Sequence, residues 1–165
     1  MRLILIFALM VLSACGFKPS SVVPIGEVSL PFTVLAQDPY SSLADNIERS
    51  LTASGAKLAQ AGEPSNSIVI NNEVSKTNPL ALNQFAQVVE YVTSYQVTYS
   101  LSNELGEVLI DKQVVEFRRE FNYNENASEG SPAELALLKR EMQADMVRSI
   151  IRRSAIVLQN QKQLM

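Results

Sequence analysis

Val89-Glu90-Tyr91-Val92-Thr93-Ser94-Tyr95-Gln96-Val97-Thr98-Tyr99-Ser100-Leu101 decides the fold. Its odd positions, Val89, Tyr91, Thr93, Tyr95, Val97, Tyr99 and Leu101, form one row. Its even positions, Glu90, Val92, Ser94, Gln96, Thr98 and Ser100, form another, far more polar. A period of two sustained this long specifies a strand with one buried face. Asn103-Glu104-Leu105-Gly106 follows as a hairpin turn, with Gly106 free to adopt positive φ. The returning strand covers about 108–123. Gln113, Val115, Phe117, Arg119, Phe121 and Tyr123 lie on one side of it, and Lys112, Val114, Glu116, Arg118 and Glu120 on the other. Both strands exceed the usual five or six residues, so their far ends are expected to project beyond a compact core.

Upstream, Phe32-Thr33-Val34-Leu35-Ala36 is β-rich, with Pro31 at a position where a missing N–H is tolerated. Asp38 as N-cap and Pro39 at N1 predict a helix over 39–54, with Tyr40, Leu43, Ala44, Ile47 and Leu51 on one face. Gly55 suits the left-handed position that ends it. Strand-like residues 56–59 follow. Beyond the turn at Glu63-Pro64-Ser65-Asn66, alternating Ile68, Ile70 and Val74 give another strand, which Asn78-Pro79 is expected to break or bend.

Downstream, 122–130 is polar and reads as a loop. Ser131-Pro132-Ala133-Glu134 is a capping box with proline at N1. Leu135, Leu138, Met142, Met146 and Ile150 form a helical stripe flanked by Val147 and Ile151. Glu134 lies early and Arg148, Arg152 and Arg153 late, matching the helix dipole. The order predicts an α+β domain over 27–158, in which two helices pack on one face of a mainly antiparallel four-stranded sheet, a two-layer sandwich. Residues 159–165 are expected to fray.

At the other end, Met1-Arg2 precedes an apolar run from Leu3 to Val11 and then Leu12-Ser13-Ala14-Cys15. A charged start, a short apolar core and a small-residue site make a secretory signal. The run is about half the length needed to span a bilayer. Leu-Ser-Ala-Cys resembles the lipobox of bacterial lipoproteins, which implies cleavage before Cys15 and lipid attachment to it. Residues 15–26, with Pro19, Ser20, Ser21 and Pro24, read as a tether. Gly16 rather than Asp after the cysteine resembles the sorting pattern that sends such proteins to the outer membrane.

The remaining roughly 150 residues suit one domain. The 165-residue chain carries a net charge of −3, and loss of Arg2 makes it slightly more acidic, so nothing favours nucleic acid as a partner. It has no histidine and one cysteine, which removes histidine-based triads, Cys–His dyads and the common zinc sites. No metal, cofactor or catalytic residue is expected. Glu116 and Glu120 share a strand face, but Lys112 and Arg118 interleave with them, so the pair reads as a charge-paired surface.

Two adjacent cation pairs stand out: Arg118 with Arg119, and Lys139 with Arg140. Guanidinium groups grip phosphate bidentately and ammonium groups act as point charges. One cluster of strand and helix cations would suit an anionic lipid headgroup. The competing reading is separate solvated sites paired with Glu116, Glu120, Glu134 and Glu141. Tyr91, Tyr95 and Tyr99 likewise have two readings, as core filling or as a partner interface.

Taken in order, several motifs resemble the LptE family of lipopolysaccharide-assembly lipoproteins. They are Cys15-Gly16-Phe17, a strand and helix ending in Gly55, and Glu90-Tyr91 opening a long strand. Phe117-Arg118-Arg119-Glu120-Phe121 then ends its partner. Last come Arg140-Glu141-Met142 and Ile150-Ile151-Arg152-Arg153 on one helix. The resemblance implies a non-enzymatic plug and assembly partner, one-to-one, of the outer-membrane barrel LptD. It also implies contact with lipopolysaccharide phosphates at Arg118 or Arg119 and at Lys139 or Arg140. Lys18-Pro19-Ser20 departs from the family's pattern after Cys-Gly-Phe. Two rivals compete with this reading: a free lipid-binding lipoprotein enclosing an acyl chain, and an assembly lipoprotein of another envelope complex.

Overall fold

The computed structural model describes residues 30–123 and 130–164, with the side chains of 130, 131 and 162–164 set aside. The order is β1 (Phe32–Ala36), α1 (Ser42–Ala53), β2 (Asn66–Leu82), β3 (Val88–Ser102), β4 (Val108–Asn122) and α2 (Gly130–Leu164). The sheet runs β1-β2-β3-β4; β1 is parallel to β2 and the remaining pairs are antiparallel. Both helices cover one face, as the patterning predicts. The core between the layers joins Phe32, Leu43, Ile47, Leu51, Ile68, Val97, Tyr99, Leu101, Met142, Met146 and Ile150, all at most 1% exposed. Burying each such side chain contributes about 1.5–3 kcal/mol.

β3 alternates cleanly between buried and half-buried from Val92 to Ser102, as its sequence demands. Its neighbours do not. In β2 the register slips between Ile70 and Asn72, and in β4 it slips opposite Ser100, where Lys112 takes φ 44°. Ser100 ties the two bulges together: its hydroxyl donates to Asn71 Oδ1 at 2.8 Å and accepts from the Lys112 N–H at 3.2 Å. An extra residue reverses the facing of everything beyond it. Val74, expected on the buried row, therefore pairs with Gln96 on the open face, and Glu73 pairs with Val97 on the helix side.

Three other expectations change. Asn78-Pro79 does not end β2, which continues to Leu82 with a register slip after Pro79. β1 stops opposite Ile70, so Pro79 lies on a free edge, where its missing N–H is tolerated. Asp38 and Pro39 form a turn rather than the start of α1. Asp38 Oδ1 accepts from the Tyr40 N–H, Ser41 is the N-cap, and Tyr40 is 92% exposed instead of packed. At the other end, α2 remains helical to Leu164, through residues expected to fray.

Gly55 ends α1 at φ 84°, with the Ala56 N–H donating to the Leu51 carbonyl in a Schellman closure. Residues 57–59 then bridge Phe32 on the outer edge of β1. The β2–β3 and β3–β4 turns share one design. Asn83 and Asn103 each accept two backbone N–H bonds through Oδ1, and Ala86 (φ 60°) and Gly106 (φ 78°) take the left-handed position.

Candidate functional site

The bulge at Asn71 builds the most structured polar site in the described residues. It turns Glu73 to the helix side of the sheet, exposed beside the N-terminus of α1 and the Tyr95 ring. Glu73 Oε1 accepts from the Tyr95 hydroxyl at 2.6 Å and Oε2 accepts from the Ser41 hydroxyl at 2.9 Å. Ser41 in turn accepts from the Ala44 N–H as N-cap. Burial, followed by the neighbouring Glu73, pushes the Tyr95 hydroxyl far above its ordinary titration range, so it stays a donor. Because β1 has ended, this region opens into a cavity of about 560 Å³ lined by Asp38, Tyr40, Ser41, Ser42, Glu73 and Ser75 among others.

A second cavity of about 200 Å³ adjoins it through Ser75 and is lined by Tyr95, Lys139, Arg140, Met142 and Gln143. Gln143 spans from α2 to α1 by donating to Ser42 Oγ at 2.9 Å. Among the described residues, neither Lys139 nor Arg140 has an ion-pair partner.

The four cations singled out in the sequence do not form one cluster. Arg118 lies on the open sheet face, bound to Glu116 Oε1 at 2.7 Å; that bond raises its already high pKa. Arg119 points to the helix side and meets Asp145 Oδ2 at 3.4 Å; Asp145 also holds Arg148. Lys139 and Arg140 stand elsewhere, at the Ser75–Tyr95 cavity. The reason is geometric: adjacent strand residues point to opposite faces, and α2 turns about 100° per residue.

Tyr95 and Tyr99 are 7% and 0% exposed, so both belong to the core and neither offers its ring to a partner. Tyr91 is half-buried, stacked on Phe121 with centroids 5.6 Å apart and edge-on to Tyr123 at 5.4 Å. The far end of the β2–β3 hairpin exposes Leu80, Leu82, Phe85 and Val89. Cys15, with the signal and tether, lies outside the described residues. Among the described residues no helix is long and apolar enough to cross a membrane, and no group of His, Cys, Asp and Glu could hold a metal ion.

The sequence signalled Lys139 and Arg140 but not Glu73 or Ser41. Glu73 is joined to Ser41 across 32 residues and to Tyr95 across 22, and only the bulge brings them together.

Comparison with known proteins agrees with this architecture. A family model described as LptE, lipopolysaccharide-assembly, matches residues 32–154. A rare lipoprotein B from Shewanella oneidensis superposes with a TM-score of 0.71 at 19% identity, covering 80% of this chain and 98% of that one. A lipoprotein B from Nitrosomonas europaea gives 0.68 at 22% identity, covering 79% and 86%. A minor lipoprotein from Acinetobacter baumannii gives 0.63 at 15%, covering 76% and 90%. At these identities the structures establish a shared fold. A sequence search of curated proteins finds no match.

Proposed function

The chain belongs to the LptE lipopolysaccharide-assembly family, and on that premise we propose that it is an outer-membrane lipoprotein, anchored through Cys15. In this reading it plugs the LptD barrel one-to-one and helps deliver lipopolysaccharide to the outer leaflet. The observation that carries the reading is the extent of the family match, which takes in β1 through most of α2. The surface suits the role. The open sheet face presents Ser94, Gln96, Thr98 and Ser100, polar groups fitted to a wet barrel lumen. The work is binding and templating rather than bond chemistry.

For lipopolysaccharide phosphates we favour Lys139 and Arg140 over Arg118 and Arg119, because the latter two already hold carboxylates. The enclosed-acyl-chain alternative loses support, since Tyr99, Met142, Met146 and Ile150 fill the space between the layers.

The test is recovery of the chain from detergent-solubilised outer membranes, followed by mass spectrometry of co-eluting proteins. One barrel of lipopolysaccharide-transport size in equal amount is the expected result. Reproducible isolation without a barrel would sink the plug reading. Cys15→Ser should leave an unanchored or uncleaved precursor; unchanged membrane fractionation would refute the anchor.

A further inference from the structure

We propose that the cleft beside β2 binds a zwitterionic headgroup of the phosphoethanolamine class, with phosphate toward Lys139 and Arg140 and ammonium toward Glu73 and Asp38. The inference shares its basic end with the phosphate reading above and adds an acidic end that the reading does not use.

Three observations carry it. First, the two cavities are neighbours that share a lining residue. Ser75 lines both, and the 2.6 Å Tyr95–Glu73 hydrogen bond joins a wall of one to a wall of the other. Carboxylates and cations therefore line neighbouring cavities on either side of that hydrogen bond. Second, the basic end is uncommitted, since Lys139 and Arg140 have no ion-pair partner among the described residues. Third, the acidic end is fixed in place. Glu73 is held by a hydroxyl on each oxygen, and among the described residues no basic side chain lines the larger cavity. A carboxylate oxygen that accepts one hydrogen bond retains a lone pair for a second, so Glu73 remains able to receive an ammonium group.

The charge layout sets the selectivity. A simple phosphate is attracted at one end and repelled by Glu73 and Asp38 at the other. A simple amine meets the reverse. A ligand carrying both charges about one ethylene unit apart satisfies both ends, so the discrimination comes from repulsion as much as attraction. The cavities are roomy enough for the headgroup, and their open mouths leave the remainder of a lipid outside.

The full chain, purified in non-ionic detergent, should be titrated calorimetrically with O-phosphoethanolamine, inorganic phosphate and ethylamine. Phosphoethanolamine should bind at least tenfold more tightly than either fragment. Glu73→Gln removes the charge while its carbonyl oxygen still accepts from one of the two hydroxyls and its NH2 donates to the other. It should weaken phosphoethanolamine about tenfold without weakening phosphate, whereas Lys139→Ala with Arg140→Ala should weaken both. Equal affinity for phosphate and phosphoethanolamine, indifference to Glu73→Gln, or no binding of any probe would overturn the proposal. Vesicles of phosphatidylethanolamine against phosphatidylglycerol separate the sources. A Glu73-dependent preference for the former assigns the membrane lipid, and the soluble compound alone assigns the free phosphoester. Recovery of the barrel with Glu73→Gln keeps the two readings apart. An intact complex that has lost zwitterion binding supports the site independently, while a missing barrel in the parent chain sinks only the plug.

Discussion

The same substitution, made four residues apart on one strand face, should have opposite effects. Tyr95 and Tyr99 both point from β3 into the core, and both are nearly or wholly buried. The Tyr95 hydroxyl donates to the Glu73 carboxylate at 2.6 Å, whereas the Tyr99 hydroxyl is buried with no partner among the described residues. A hydrogen bond to a charged group contributes about 1.5–3 kcal/mol. Glu73 keeps its bond to Ser41 and lies open enough to regain water, so Tyr95→Phe should cost about 1.5–2 kcal/mol, the lower part of that range. Tyr99→Phe leaves the ring in place and removes only an unsatisfied buried hydroxyl. Since burying such a group costs about 1–3 kcal/mol, its removal should be neutral or stabilise the domain by up to about 1 kcal/mol. Urea unfolding followed by far-ultraviolet circular dichroism reads both. With a slope of about 1–3 kcal/mol per molar urea, the two midpoints should separate by roughly 1 M. A Tyr99→Phe loss as large as that of Tyr95→Phe would refute the reasoning, because it would mean that the Tyr99 hydroxyl is satisfied in solution.

The twin turns supply a second pair of opposite signs. Gly106→Ala has open space for its methyl group but a positive φ, so it should cost about 1 kcal/mol, and Ala86→Gly, which relieves the same strain, should shift the urea midpoint upward or leave it unchanged. Burial raises both Tyr95 and Tyr99 above the ordinary tyrosine pKa of 10.0, so the folded state keeps protons that the unfolded state loses above that value. Stability should be full below pH 10 and fall above it by about 1.4 kcal/mol per pH unit for each tyrosine; an alkaline unfolding series that stays level would contradict this. Asp145→Asn breaks the contacts to Arg119 and Arg148, yet all three groups are solvent-accessible, so the loss should be under about 1 kcal/mol and shrink further in high salt. A cost several times larger in the same urea assay would show that this triad is a structural lock.

The fold is legible in the sequence where one chain segment carries one unbroken period. β3 keeps its period from Val92 to Ser102, its one extra residue falling at Val89 near its start, so its rows of Tyr, Val and Leu against Ser, Thr and Gln read directly as inside and outside, and they fix a sheet covered on one face. The Met142-Met146-Ile150 stripe reads equally well because nothing interrupts α2. β2 and β4 resist the same treatment because each carries an extra residue near the C-terminal end of β3, at Asn71 and at Lys112. Nothing local marks either bulge. Asn71 is stabilised by Ser100, 29 residues away, so the cause of the slip lies on another strand. The first turn was equally obscure, since Ala86 occupies a position where glycine is the usual signal and where Gly106 announced its twin. The separation of Arg118 from Arg119, by contrast, was available from the period of two, and only their adjacency in sequence suggested a joint site. The candidate cleft follows from the same slip. In an unbroken register Asn72 and Val74 would face the helices opposite Val97 and Tyr95, and Glu73 would turn to the open face opposite Gln96. The residue that spoils the pattern is thus the one that brings a carboxylate to the helix side, hydrogen-bonded to Tyr95 in the wall of the cavity lined by Lys139 and Arg140. A departure from the simplest patterning coincides with the most organised polar group in the described domain, which is where a binding function is expected to leave its mark.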